Sequence, residues 1–172
     1  MDNYRPRYIE SQIERLLKSS SAVLVAGPKF CGKTTTCLRM AKSNVRLATR
    51  RNIELAQMEP RNTLLGEQPR LIDEWQTIPE LWDTIRSAVD KRGEPTQFIL
   101  TGSTVTPEAE ETVHSGTGRI GRLRMRTMSL YESGESSGSV SIEDLFNGGK
   151  ISPRRNALSI EDIAFLACRG GW

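Results

Sequence analysis

Apolar residues along the chain switch between two periods, and the switches lay out an order of helices and strands. Ile9, Ile13, Leu16 and Leu17 recur at helical spacing between Tyr8 and Lys18, with Glu10, Glu14 and Arg15 facing away. After Ser19-Ser20-Ser21 comes an unbroken apolar run, Ala22-Val23-Leu24-Val25-Ala26, with the length and β-branched content of a buried strand. A helix is expected to open at Lys33 and run to Lys42, and Val45–Ala48 predicts a short second strand. The stretch from Thr49 to Gln68 reads as a loop-rich connection. Asn52–Met58 supplies one or two helical turns there, and Pro60, Asn62 and Gly66 break anything longer. Pro69-Arg70-Leu71-Ile72 predicts a strand that ends in Asp73-Glu74. Ile78, Leu81, Trp82, Ile85, Ala88 and Val89 then mark one face of an amphipathic helix, with Pro79 near its start and Gly93 at its end. Gln97–Ser103 reads as another strand closing on small polar groups.

Further on the pattern loosens. Thr106–Val113 predicts a short acidic helix, and the glycine-rich, basic stretch His114–Arg122 is expected to be mobile. Leu123–Leu130 alternates arginines with apolar residues, the signature of a half-exposed strand. A Gly/Ser-rich stretch at 134–139 is expected to be a flexible linker or loop. Ser141-Ile142-Glu143-Asp144 and Ser159-Ile160-Glu161-Asp162 both carry a capping-box pattern, opening helices that end at Gly148 and Gly170. Residues 1–172 are read as one domain with a C-terminal helical segment at 150–172. The apolar final helix and the closing Trp172 create the expectation that more protein follows.

One stretch organises the rest. Gly27-Pro28-Lys29-Phe30-Cys31-Gly32-Lys33-Thr34 is a G-x-x-x-x-G-K-[ST] phosphate-binding loop, placed where its physics requires, between a strand and a helix N-terminus. Gly27 and Gly32 let successive amides turn inward at phosphate oxygens, and the helix start at Lys33 adds unpaired N–H donors and partial positive charge. Lys33 is expected to reach the β- and γ-phosphates, and the Thr34 hydroxyl to ligate Mg²⁺. An apolar strand ending in Asp73-Glu74 supplies the complement. Asp73 would hold a Mg²⁺-bound water, and Glu74 would orient and polarise the water that attacks the γ-phosphate. Thr101 is the first candidate for a group sensing the γ-phosphate, with Ser103 the second. The competing reading is a turn whose Thr and Ser cap the next element. Arg119 and Arg122 are candidates for an arginine finger, acting on a neighbouring subunit's nucleotide in a ring or dimer.

Composition trims the alternatives. The chain has 172 residues, enough for one domain with a substantial core, and its net charge of +3 does not by itself argue for nucleic acid. A nucleic-acid groove on the Arg122–Arg126 strand is weighed against a solvated edge strand, and the edge strand is preferred. Three cysteines, Cys31, Cys37 and Cys168, show no metal-site spacing and fit a reducing, cytoplasmic compartment. Cys31 is read as a small passive residue of the loop in preference to a redox sensor. The lone histidine, His114, is read as a polar loop residue. Trp82 is read as core, whereas Trp75 is left open between core and partner-facing anchor. No stretch approaches the ~20 apolar residues of a membrane span, and the N-terminus lacks a secretory signal.

With both nucleotide motifs in place, the chain resembles the AAA-type ATPase domain of prokaryotic two-domain ATP-binding proteins. The resemblance is carried by Tyr4 with Arg7, Ala22–Thr36, Pro69–Gln76, Phe98–Ser103 and Arg119–Glu132. In that family the loop often reads G-P-K-x-C-G-K-T, the acidic strand P-R-L-I-D-E-W-Q and a later strand I-L-T-G-S. The resemblance implies an α/β P-loop fold, a parallel five-stranded sheet sandwiched by helices, and ATP with Mg²⁺. It assigns Lys33, Thr34, Asp73 and Glu74 the roles given above, and ATP over GTP rests on it alone. A homo-oligomer and a protein partner, or the family's C-terminal domain, are the expected associates. Two departures stand out. Thr127 occupies a position where the family often has proline, and that C-terminal domain is expected to lie outside these 172 residues.

Overall fold

The computed structural model describes residues 4–103, 118–150 and 158–171, which fall into two compact units, 8–126 and 4–7 with 127–171. The larger unit is a five-stranded, all-parallel sheet in the order β2-β3-β4-β1-β5. Its strands are β1 (Ala22–Ala26), β2 (Ser43–Arg46), β3 (Arg70–Asp73), β4 (Phe98–Gly102) and β5 (Ile120–Arg124). β1 and β4 are buried at every residue, as central parallel strands covered on both faces must be. The edge strands β2 and β5 alternate or stay half-exposed.

Helices cover both faces. α1 (Ile9–Ser19) sends Ile9, Ile13 and Leu17 into a cluster with Val23, Val25, Leu71, Ile99 and Met125, and α2 (Lys33–Met40) adds Cys37 there. On the other face, α3 (Arg50–Met58) contributes Ala56, and α4 (Leu81–Arg92) contributes Leu81, Trp82, Ile85 and Val89. These pack on Leu24, Ile72, Phe98 and Leu100. The Thr49 side chain caps α3 by accepting from the Asn52 N–H, so that helix starts at Arg50, two residues before the expected turns. Two 3₁₀ turns, Pro60–Leu64 and Trp75–Thr77, complete this layer.

The edge strands correct the sequence-based expectations. β2 spans Ser43–Arg46, two residues upstream of the Val45–Ala48 expected, because pairing with Arg70–Asp73 outweighs the polarity of Ser43 and Asn44 on an edge. β5 begins at Ile120, inside the stretch expected to be mobile, and ends at Arg124, well short of Leu130. Gly121 explains the first error. A Cβ there would stand 2.9 Å from Leu16 Cδ1, so this glycine lets α1 lie close to the strand and does not mark a turn. The acidic helix expected at Thr106–Val113 and His114 both lie outside the described residues.

In the smaller unit a buried ion pair joins Arg7 Nε to Glu132 Oε1 at 3.0 Å, and Ser129 donates its N–H and hydroxyl to Glu132 Oε2. α5 (Ile142–Phe146) is capped by Ser141, and α6 (Ile160–Arg169) carries a complete Ser159–Asp162 capping box. Arg169 Nη1 reaches Glu135 Oε1 at 3.0 Å, a contact that lowers the Glu135 pKa. No helix among the described residues is long and apolar enough to cross a membrane.

Candidate nucleotide site

Parallel pairing sets the C-terminal ends of β1, β3 and β4 side by side, and the candidate residues converge there. The phosphate loop leaves β1 at Gly27 and enters α2 at Lys33, with Gly32 at φ 95° before the first helical residue. Gly32 offers no side-chain cap, and the first backbone bond of the helix is Thr36 N–H to the Gly32 carbonyl at 3.0 Å. The preceding amides therefore have no acceptor within α2, which is the arrangement that binds anions at a helix N-terminus. Lys33 is buried and donates from Nζ to the Gly27 and Pro28 carbonyls at 2.9 and 2.7 Å, holding its ammonium within the loop.

Asp73 is the meeting point. Only 2% of it is exposed, and Oδ1 accepts from the Thr34 hydroxyl at 2.8 Å and from the Thr101 hydroxyl. The register explains both contacts, since Asp73 lies beside Thr101 and Thr101 lies beside Val25 of the loop-bearing strand. Oδ2 has no hydrogen-bond donor, although Arg46 Nε approaches it to 3.2 Å as an ion pair. Glu74 follows in the left-handed region, at φ 60° and ψ 43°. A non-glycine residue held there is strained, and such strain is common where geometry serves a site. Its Oε2 accepts from Gln76 Nε2 at 2.5 Å, and the same nitrogen lies 3.4 Å from Ser103 Oγ.

These groups border a cleft of about 490 Å³ lined by Lys29, Phe30, Gly32, Lys33, Thr34, Thr35, Arg46, Ala48 and Glu74. That volume falls in the range of small-molecule sites.

Residues 19–134 match the family described as an AAA domain. This chain belongs to that family. Membership places it among nucleotide-binding ATPase domains. The uncharacterized proteins Rv2008c of Mycobacterium tuberculosis and Mb2031c of Mycobacterium bovis are each 27% identical to it over 166 residues. The matches cover 94% of this chain but 36% of either relative, so the chain spans about a third of their length.

In this AAA domain the donor set suits Mg²⁺. Among the described residues no group of three or more His, Cys, Asp and Glu could hold a metal by itself. A hydroxyl and one carboxylate with an orphaned oxygen match an ion that takes one or two carboxylates and relies on phosphate oxygens and water for the rest.

Other candidates lie elsewhere. Arg119 sits beside Ser21 at the N-terminal end of the sheet, about 20 Å of strand from Gly27, and pairs with Asp90 at 2.5 Å. Arg122 lies midway along β5 beside Leu24, its guanidinium 5.7 Å from the Trp82 ring centroid. Neither lines the cleft of its own chain. Trp75 is 4% exposed and stacks on Trp82 with centroids 5.1 Å apart, which removes the partner-facing alternative. Cys31 and Cys37 are buried. Burial, with the Asp73 charge second, pushes the Cys37 thiol up to about 12, so it stays protonated. Arg46 and Gln76 were missed from sequence. A lone arginine at a strand end carries no signal, and only the turn after Glu74 brings Gln76 back onto it.

Proposed function

We propose that this AAA domain binds ATP with Mg²⁺ and hydrolyses it slowly on its own, to drive or gate contact with a protein partner or a further domain. The observation that carries the reading is the 2.8 Å bond between Thr34 and Asp73, which ties the phosphate loop to the acidic strand. The loop residues Gly27, Lys29, Phe30, Cys31, Gly32 and Thr35 offer backbone N–H groups to the phosphates, Pro28, which has no N–H, shapes the turn between them, and Lys33 adds its charge. Thr34 and Asp73 would hold the ion, Asp73 through a water, while the Thr101 hydroxyl, donating to the same Asp73 oxygen as Thr34, fixes that carboxylate. Mg²⁺, when bound, would neutralise charge on the β- and γ-phosphate oxygens. Glu74 orients a water and takes its proton at a carboxylate oxygen. ATP over GTP follows the family resemblance. A finger from Arg119 or Arg122 would act on a second copy in a homo-oligomer, because neither borders its own cleft.

Two variants test this. Lys33→Ala is expected to lose ATP binding, and Glu74→Gln to keep binding while turnover falls roughly a hundredfold or more. Equal hydrolysis by wild type and Glu74→Gln would remove Glu74 from the mechanism.

A further inference from the structure

We propose that Arg46 is the side chain with which this protein distinguishes a nucleoside triphosphate from a diphosphate. The inference rests on the nucleotide reading above and adds a specificity residue to it. Arg46 ends β2, directly beside Asp73 in the register, and its side chain borders the same cleft as Lys33, Thr34 and Glu74. It belongs to neither core cluster, and 63% of its side chain is exposed, so packing does not explain its position. Its Nε lies 3.2 Å from Asp73 Oδ2, the carboxylate oxygen that no hydrogen bond engages.

A buried carboxylate needs a counter-charge. Lys33 is committed to two loop carbonyls, and Arg46 supplies that charge from the cleft side. A divalent cation held by Thr34 and Asp73 would take over the neutralisation and repel the guanidinium. Arg46 would then be released into the cleft that Lys33, Thr34 and Glu74 also line, beside the groups a γ-phosphate would meet and a diphosphate would not. A guanidinium fork suits a terminal phosphate, with several N–H donors in one plane. Arg46 therefore contacts the terminal phosphate of the triphosphate and has no equivalent contact with the diphosphate.

The test is calorimetric titration, with Mg²⁺ present, of ADP and of the non-hydrolysable β,γ-imido analogue of ATP. Both are titrated into wild type, Arg46→Ala and Arg46→Lys. Arg46→Ala is expected to weaken the analogue roughly tenfold to a hundredfold while leaving ADP bound at least as tightly as in wild type. Arg46→Lys, keeping charge without the fork, should fall between. Equal weakening of both ligands would make Arg46 a structural residue and overturn the inference, as would unchanged affinity for both. If wild type binds neither nucleotide, the reading of the site fails and this inference with it. Wild type that binds both, with an unaltered ratio in Arg46→Ala, sinks the Arg46 assignment alone.

Discussion

A methyl group on residue 27 would lie 2.2 Å from the Met125 carbonyl oxygen, so the first glycine of the loop is imposed by the residue that follows β5. Gly27→Ala must push the loop off β5 or displace Met125, whose N–H is bonded to the Ala26 carbonyl at 2.7 Å. The expected outcome is a loss of about 1–3 kcal/mol in stability together with weaker nucleotide binding, read from thermal melts and titration of the same preparation. That contact with Met125 left no trace in the sequence, whereas residues whose chemistry is local were legible there. Lys33 and Thr34 sit in one contiguous motif, and Asp73 ends one strand with Glu74 next in sequence. Arg46 and Gln76 were not, because each acts through a neighbour on another strand or turn. The strained Glu74 backbone and its bond to Gln76 likewise have no trace in spacing.

Elements were read well where both faces are buried and less well at the edges. The runs that became β1, β3 and β4 are apolar and end at recognisable signals. Helical spacing of Ile9, Ile13 and Leu17 located α1 within a residue. At β2 and β5 one side of the strand is open, the apolar signal drops, and pairing decides the boundaries. Gly121 misled because a glycine that admits a helix and a glycine that makes a turn look alike in sequence. The role of α1 can be measured. Ile13 is fully buried between this helix and the sheet, so Ile13→Ala should cost about 2–5 kcal/mol in denaturant unfolding. A cost near zero would mean that α1 is not docked on that face.

On the scale of the molecule, the AAA domain match runs from residue 19 to residue 134, through the whole sheet and past Met125. The sheet does for function what no single residue can, bringing a threonine from α2, a carboxylate from β3 and a hydroxyl from β4 onto one oxygen atom. This chain spans about a third of the length of its Mycobacterium relatives. Titrating ATP into wild type and Asp73→Asn, with Mg²⁺ and with chelator, tests that junction. Wild type should bind more tightly when Mg²⁺ is present, and Asp73→Asn should lose that gain while still binding the metal-free nucleotide. Wild type indifferent to Mg²⁺, or a variant that keeps the full gain, would contradict the account.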